Sequence, residues 1–190
     1  MGGRAGGGAR GGGGALSRSQ LNAAGQQILQ LMDTGQWAGM SNLEKYKLLN
    51  AADANASTLT ANWDMYEKAG LKNSLQHYLG DDHQKINGVL AGTVKSTPKV
   101  QKYISDMDKA ISMKTLDKDI VVWRGSRVKE GKSGRFVSTS ISAGAAEGFN
   151  YGNNLHAYRI PKGTKYFYSG TGEGEVILPR GFNLQKYKIK

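Results

Sequence analysis

Two carboxylates one glycine apart, Glu173 and Glu175, stand at the entrance of the run Gly170-Thr-Gly-Glu-Gly-Glu-Val-Ile-Leu-Pro-Arg-Gly181. If the apolar strand has already begun there, both side chains project to one face, because successive strand residues alternate sides. Like charges so close raise the pKa of one of them unless cations or hydroxyls compensate. Such pairs are usually kept apart, which points to a catalytic or ligand-binding role, although an isolated Glu-x-Glu is more often a solvated turn. Two further stretches could supply compensation. Val121-Val-Trp-Arg-Gly125 ends an apolar strand in an arginine able to fork onto a phosphate oxygen, with a glycine beside it that lets a ligand approach the backbone. Phe136-Val-Ser-Thr-Ser140 places Ser138 and Ser140 on one strand face and Thr139 on the other, and buried hydroxyls need partners. Each of the three is weak alone.

Other chemistry is excluded by composition. With no cysteine there is no disulfide, thiol nucleophile or cysteine-ligated metal. His77, His83 and His156 lack metal-ligand spacing, so no metal is expected. No stretch approaches the roughly 18 apolar residues of a membrane span, and no charged-then-apolar leader opens the chain. The net charge of +11 is uneven: residues 121–190 hold twelve basic and four acidic side chains. That field attracts anions such as nucleic acid, an acidic protein or a phosphorylated cofactor.

These residues must be positioned by an α+β chain. Residues 1–15 form a Gly/Arg-rich linker, expected to be disordered because nothing in it can offset backbone entropy. Residues 16–118 read as a helical portion. Its stripes include Leu21, Ile28 and Met32; Leu43, Leu48 and Leu49 after the capping box Ser41–Glu44; Leu59, Trp63 and Tyr66; Leu71, Leu75 and Tyr78; Ile86 and Leu90; and Val100, Ile104, Met107 and Ile111 after Thr97-Pro98. The stripes read as core, and the aromatic and histidine residues among them as structural. Residues 119–190 read as a β-rich unit, with strands at 120–123, 135–141, 155–160, 165–168, 175–178 and 184–189 and a short helix over 142–149. Helices followed by strands imply a mostly antiparallel sheet.

In this order and spacing the three motifs resemble the arginine–serine–glutamate class of mono-ADP-ribosyltransferases, the family of binary toxins and exoenzymes. The resemblance covers about residues 119–190, including Ile160-Pro-Lys-Gly-Thr164, and extends more loosely to Lys85-Ile-Asn-Gly-Val-Leu90. It implies a helical portion packed on a two-sheet β core whose central cleft holds NAD⁺, which is consumed as a substrate. It implies that Glu175 stabilises the oxocarbenium-like ribose, that Ser138 orients Glu175, and that Thr139 and Ser140 complete the supporting strand. Arg124 would pair with the NAD⁺ phosphates or ribose, Gly125 would hold the nicotinamide amide, and Phe149 would pack on the nicotinamide ring or else anchor the short helix. Glu173 would assist an arginine acceptor, as in family members with glutamate at that position. The turn 166–172 would meet the target, with Tyr166 and Tyr168 as its aromatic candidates, one of them packing inward.

A protein arginine is therefore the favoured acceptor, with RNA left open by the basic charge. Hydrolysis of NAD⁺ alone, or a basic nucleic-acid-binding or virion protein, are the competing readings. The glycine-rich start and the missing leader suggest delivery within a larger toxin or by a phage, with action in the cytoplasm of a target cell as the expectation. The resemblance leaves room for an immunity protein.

Overall fold

The computed structural model describes residues 18–125, 134–150 and 153–190. The glycine-rich start expected to be disordered lies outside them. Among the described residues the helical portion contains α1 (Ala23–Asp33), α2 (Asn42–Asp53), α3 (Trp63–Lys68), α4 (Lys72–Leu79), α5 (His83–Leu90) and α6 (Pro98–Ser112). Local chemistry sets several starts. The Asn22 side chain accepts from the Gly25 amide, Ser41 and Glu44 close a reciprocal capping box, and Thr97 caps α6 ahead of a proline in the first turn. Leu43, expected on an apolar stripe, is 62% exposed: only Leu49 and Ala52 of α2 are buried, so its apolar face is narrower than the leucines suggest.

The β portion comprises β1 (Ile120–Gly125), β2 (Val137–Ser140), α7 (Ala143–Glu147), β3 (Leu155–Ile160), β4 (Phe167–Tyr168) and β5 (Glu175–Leu178). Its strands form one antiparallel sheet in the order β3-β1-β2-β5-β4. The expected two sheets are thus joined in one. Yet β1 and β2 pair only at Trp123↔Ser140, whereas β1 and β3 pair over six residues. The sheet is two wings meeting at one point.

Packing follows the same division. Helices α3 to α6 bury Tyr66, Leu75, Tyr78, Ile104 and Met107 against Phe136, Phe167 and Ile177 of the β2-β5-β4 wing. Helices α1, α2 and α7 bury Ile28, Met32 and Leu49 against Trp123, Leu155 and Ala157 of the β3-β1 wing. A third cluster joins Val122, Tyr158 and Ile160 of one wing to Val137, Val176 and Leu178 of the other. The final expected strand, 184–189, is instead a 3₁₀ turn over Leu184–Tyr187. Leu184 and Ile189 supply the apolar ends that suggested a strand, and both are buried from this irregular segment.

Helix α7 ties the two portions together. Asp53, at the end of α2, accepts hydrogen bonds from the Ser142 hydroxyl at 2.6 Å and from the Ala143 and Gly144 amides at 2.6 and 3.2 Å. A carboxylate from the helical portion thus caps a helix of the β portion. Close packing explains Gly125 as well. A Cβ there would lie 2.5 Å from the Ala146 carbonyl, 2.8 Å from the Asn150 amide and 2.9 Å from the Phe149 carbonyl carbon. The glycine admits the backbone after α7, a role not legible in the sequence. Gly125→Ala is expected to destabilise the fold by about 1–3 kcal/mol, because backbone cannot yield as a flexible side chain can. Thermal unfolding followed by circular dichroism checks this; an unchanged Tm would show that α7 moves aside freely.

Candidate active site

The end of β1, the strand β2, the glutamate turn, α7 and the helices α4 and α5 enclose a cleft of about 540 Å³. Into it the fold brings Arg124, Gly125, Ser138, Thr139, Ser140, Phe149, Glu173 and Glu175, every residue expected in the catalytic and dinucleotide-binding set. Tyr166 and Tyr168 are not among its lining residues. Tyr166 is 6% exposed and packs beneath Lys114, whose Nζ lies 5.4 Å from the ring centre. Tyr168 is half-buried, while Gly170, Thr171, Gly172 and Glu173 are the exposed part of the turn.

Glu175 opens β5 opposite Ser140, and Ser138 lies two residues along the same face of β2. Burial pushes the Glu175 carboxyl above its ordinary range, a hydrogen bond from Ser138 opposes that rise, Glu173 adds to it, and His83 offsets part of it. Arg124 donates from its guanidinium to the Ser138 carbonyl, which fixes the cation beside the same strand. The other two residues of the serine strand act as braces. Thr139 donates to the Val176 carbonyl at 2.8 Å, and Ser140 donates to the Glu173 carbonyl at 2.5 Å while accepting from the Ser142 amide at 2.9 Å. The backbone on either side of Glu175 is thereby held by β2. Phe149 is 57% exposed on the cleft wall, so it does not anchor α7; it offers an aromatic face to a ligand.

The helical portion does more than cover this site, contrary to the expectation that its aromatic and histidine residues are structural. Tyr78 of α4 and His83 and Asn87 of α5 line the cleft. The Tyr78 hydroxyl lies 3.4 Å from Ser138 Oγ and accepts from Asn87 Nδ2 at 3.3 Å. A carboxylate only accepts, so the Ser138 proton goes to Glu175 and the Tyr78 proton points to Ser138. The result is a directed chain from Asn87 through Tyr78 and Ser138 to Glu175. Burial raises the Tyr78 pKa, which keeps the phenol protonated as this chain requires. Asn87 Oδ1 is buried with no partner among the described residues, an unused acceptor on a residue of the cleft wall. Only the weak pattern Lys85–Leu90 hinted at this segment.

The glutamate turn is likewise held from the helical side. Trp63 Nε1 donates to the Ser169 carbonyl at 2.9 Å, and its ring packs edge-on against Tyr66 and Phe167. Gly170 has φ +67°, and a Cβ there would meet Ala61 Cβ at 2.3 Å. The turn can therefore pack against the segment before α3 only with glycine at this position. Among the described residues no group of three or more histidines and acids could hold a metal ion.

A partly buried carboxylate oriented by a serine, a second carboxylate beside it and an arginine on a nearby strand can stabilise a cationic sugar next to a phosphate. The sequence model of the family described as ADP-ribosyltransferase exoenzyme matches residues 53–132. That stretch runs from the end of α2 through Arg124, whereas Ser138, Glu173 and Glu175 lie beyond it.

Over that stretch the chain is similar to the ADP-ribosyltransferase exoenzyme family.

Among curated proteins it is similar to the NAD(+)–arginine ADP-ribosyltransferase EFV of Enterococcus faecalis, with 33% identity over 148 residues covering 64% of this chain. The chain spans about 30% of the length of that relative. Solved structures similar to it include the C3larvin toxin, an ADP-ribosyltransferase of Paenibacillus larvae, with 18% identity, a TM-score of 0.44 and coverage of 63% of this chain and 79% of that one. The enzymatic component C2-I of the C2 toxin of Clostridium botulinum shows 18% identity and a TM-score of 0.49, covering 63% of this chain and 39% of that one.

Proposed function

We propose that this chain is a mono-ADP-ribosyltransferase that cleaves NAD⁺ at the nicotinamide–ribose bond and transfers ADP-ribose to a protein arginine. The observation that carries the reading is the meeting of Glu175, Ser138, Arg124 and Glu173 in one cleft. As the glycosidic bond breaks, its electron pair goes to the nicotinamide nitrogen, and positive charge spreads over C1′ and the ring oxygen. The Glu175 carboxylate stabilises that charge from a partly desolvated position, where a fixed negative group acts most strongly. Ser138 holds the carboxylate in place, and Arg124 binds the dinucleotide's phosphates or adjacent ribose. The acceptor guanidinium nitrogen then bonds to C1′, and its proton passes to Glu173. The name of the Enterococcus faecalis relative supports arginine as acceptor. Toxin-like action inside a target cell, delivery as part of a larger protein or by a phage, and neutralisation by an immunity protein belong to the same reading.

The test is incubation with labelled NAD⁺ and a cell lysate, divided into protease-treated and ribonuclease-treated halves. Transfer to protein leaves label that protease removes, and mass spectrometry then finds ADP-ribose on arginine. Label removed by ribonuclease would transfer the assignment to RNA; free ADP-ribose alone would make the domain a glycohydrolase. A further expected outcome concerns binding. Arg124→Ala should weaken NAD⁺ affinity by about 10-fold or more, since a charge-assisted hydrogen bond contributes about 1.5–3 kcal/mol. Calorimetry showing unchanged affinity would mean that Arg124 serves only to brace the Ser138 strand.

A further inference from the structure

His83 is the first residue of α5 and lines the cleft with both glutamates. Its Nδ1 lies 2.8 Å from the Gly80 carbonyl. A carbonyl can only accept, so Nδ1 carries a proton whether the ring is neutral or charged. In the neutral ring Nε2 is therefore always the acceptor, a tautomer set by the backbone of its own turn. The ring also lies close enough to Glu175 for its charge to favour the ionised carboxylate.

Other titratable groups surround it. From the facing elements these are Arg124 of β1, Arg135 ahead of β2, Glu173 and Glu175 at β5, and Tyr78 of α4. On its own turn and helix stand Asp81, Asp82 and Lys85, with Asp82 bound by His77 Nδ1 at 2.7 Å and by Lys85 Nζ at 3.6 Å. Among the side-chain types lining the cleft, imidazole is the one whose ordinary charge change falls between about pH 5 and 8.

We propose that His83 decides between transfer and hydrolysis: its neutral Nε2 accepts a hydrogen bond from the incoming guanidinium, and its protonated form repels that cation while water still reaches C1′. The inference rests on the arginine-transfer reading and deepens it. Both outcomes share the step that Glu175 assists, so the titration of Glu175 cancels in their ratio. Only an effect on the acceptor survives.

The experiment measures ADP-ribosylagmatine and free ADP-ribose formed from NAD⁺ in the presence of agmatine, a small guanidinium compound, between about pH 5.5 and 8. For the wild type the ratio of transfer to hydrolysis should fall at least about fivefold on going to the acid end. In His83→Gln it should change by less than about twofold, because an amide takes up no proton in this range. In His83→Lys, which stays charged, the ratio should be low even at pH 8. His83 is exposed, so neither substitution disturbs the core, and the lysine variant decides the matter if the glutamine variant makes no product. A wild-type-like fall in His83→Gln, or a wild-type ratio at pH 8 in His83→Lys, would overturn the inference. Wild-type protein that releases no nicotinamide, or makes only free ADP-ribose at every pH, instead refutes the function proposed for the cleft and removes this inference with it.

Discussion

Glu175→Gln should abolish NAD⁺ hydrolysis and transfer together, lowering the rate of nicotinamide release by about 10³-fold, or about 4 kcal/mol of transition-state stabilisation. The amide keeps the size of the side chain and can still meet the Ser138 hydroxyl, but it carries no charge to set against the developing oxocarbenium ion. Affinity for NAD⁺ should change far less, because the substrate ribose is uncharged before the bond breaks. A pH dependence accompanies this. Burial and Glu173 hold the Glu175 carboxyl above the usual carboxylate range, so its active, ionised form is present only above that raised pKa and is lost as pH falls through it. The acid limb of the hydrolysis profile should therefore lie above pH 4.5, the ordinary value for the group. Quenched-flow or steady-state nicotinamide release measures both effects. A variant retaining a tenth or more of wild-type turnover would leave the carboxylate without the assigned role.

The second large effect separates the two glutamates. Glu173→Gln should reduce transfer to arginine by about 10²-fold or more, the usual contribution of a positioned base, while hydrolysis falls only by a small factor. The structural reason is their unequal placement. Glu175 is partly buried and tied to Ser138, whereas Glu173 lies exposed in the turn, held through its backbone carbonyl by Ser140. Its carboxylate is thus available to the acceptor at the mouth of the cleft. Hydrolysis and agmatine transfer measured on one preparation give the answer, and parallel loss of both would show that the two carboxylates act as a unit.

Much of this organisation was legible from residue types alone. The strand at Ile120–Gly125, the serine strand and the glutamate-bearing strand fall where short β-rich runs bounded by Gly, Pro or Ser place them, because β-branched and aromatic residues suit a packed strand. Capping residues located α2, α6 and α7 for an equally local reason: Ser41, Thr97 and Ser142 meet amides three residues ahead. The segment 184–189 misled, since Leu184 and Ile189 are buried by the tertiary fold from an irregular backbone that carries no strand. One of Tyr166 and Tyr168 was expected to pack inward, and only the tertiary structure decides that it is Tyr166, which the core encloses.

By itself the sequence determined the side-chain types of the candidate site, their order and the α+β class, because these depend on side-chain chemistry and on patterns within a few residues. It could not determine what holds those groups. The Tyr78 link to Ser138 spans 60 positions, the Trp63 bond to the glutamate turn spans 106, and the Asp53 cap on α7 spans 90. Each is a hydrogen bond between groups with no local signal of partnership, formed only because the helical layer packs on a sheet whose wings part beyond Trp123↔Ser140. The tertiary structure alone decided that Gly125 admits a backbone, that Phe149 faces the cleft, and that a histidine read as structural stands beside the carboxylates.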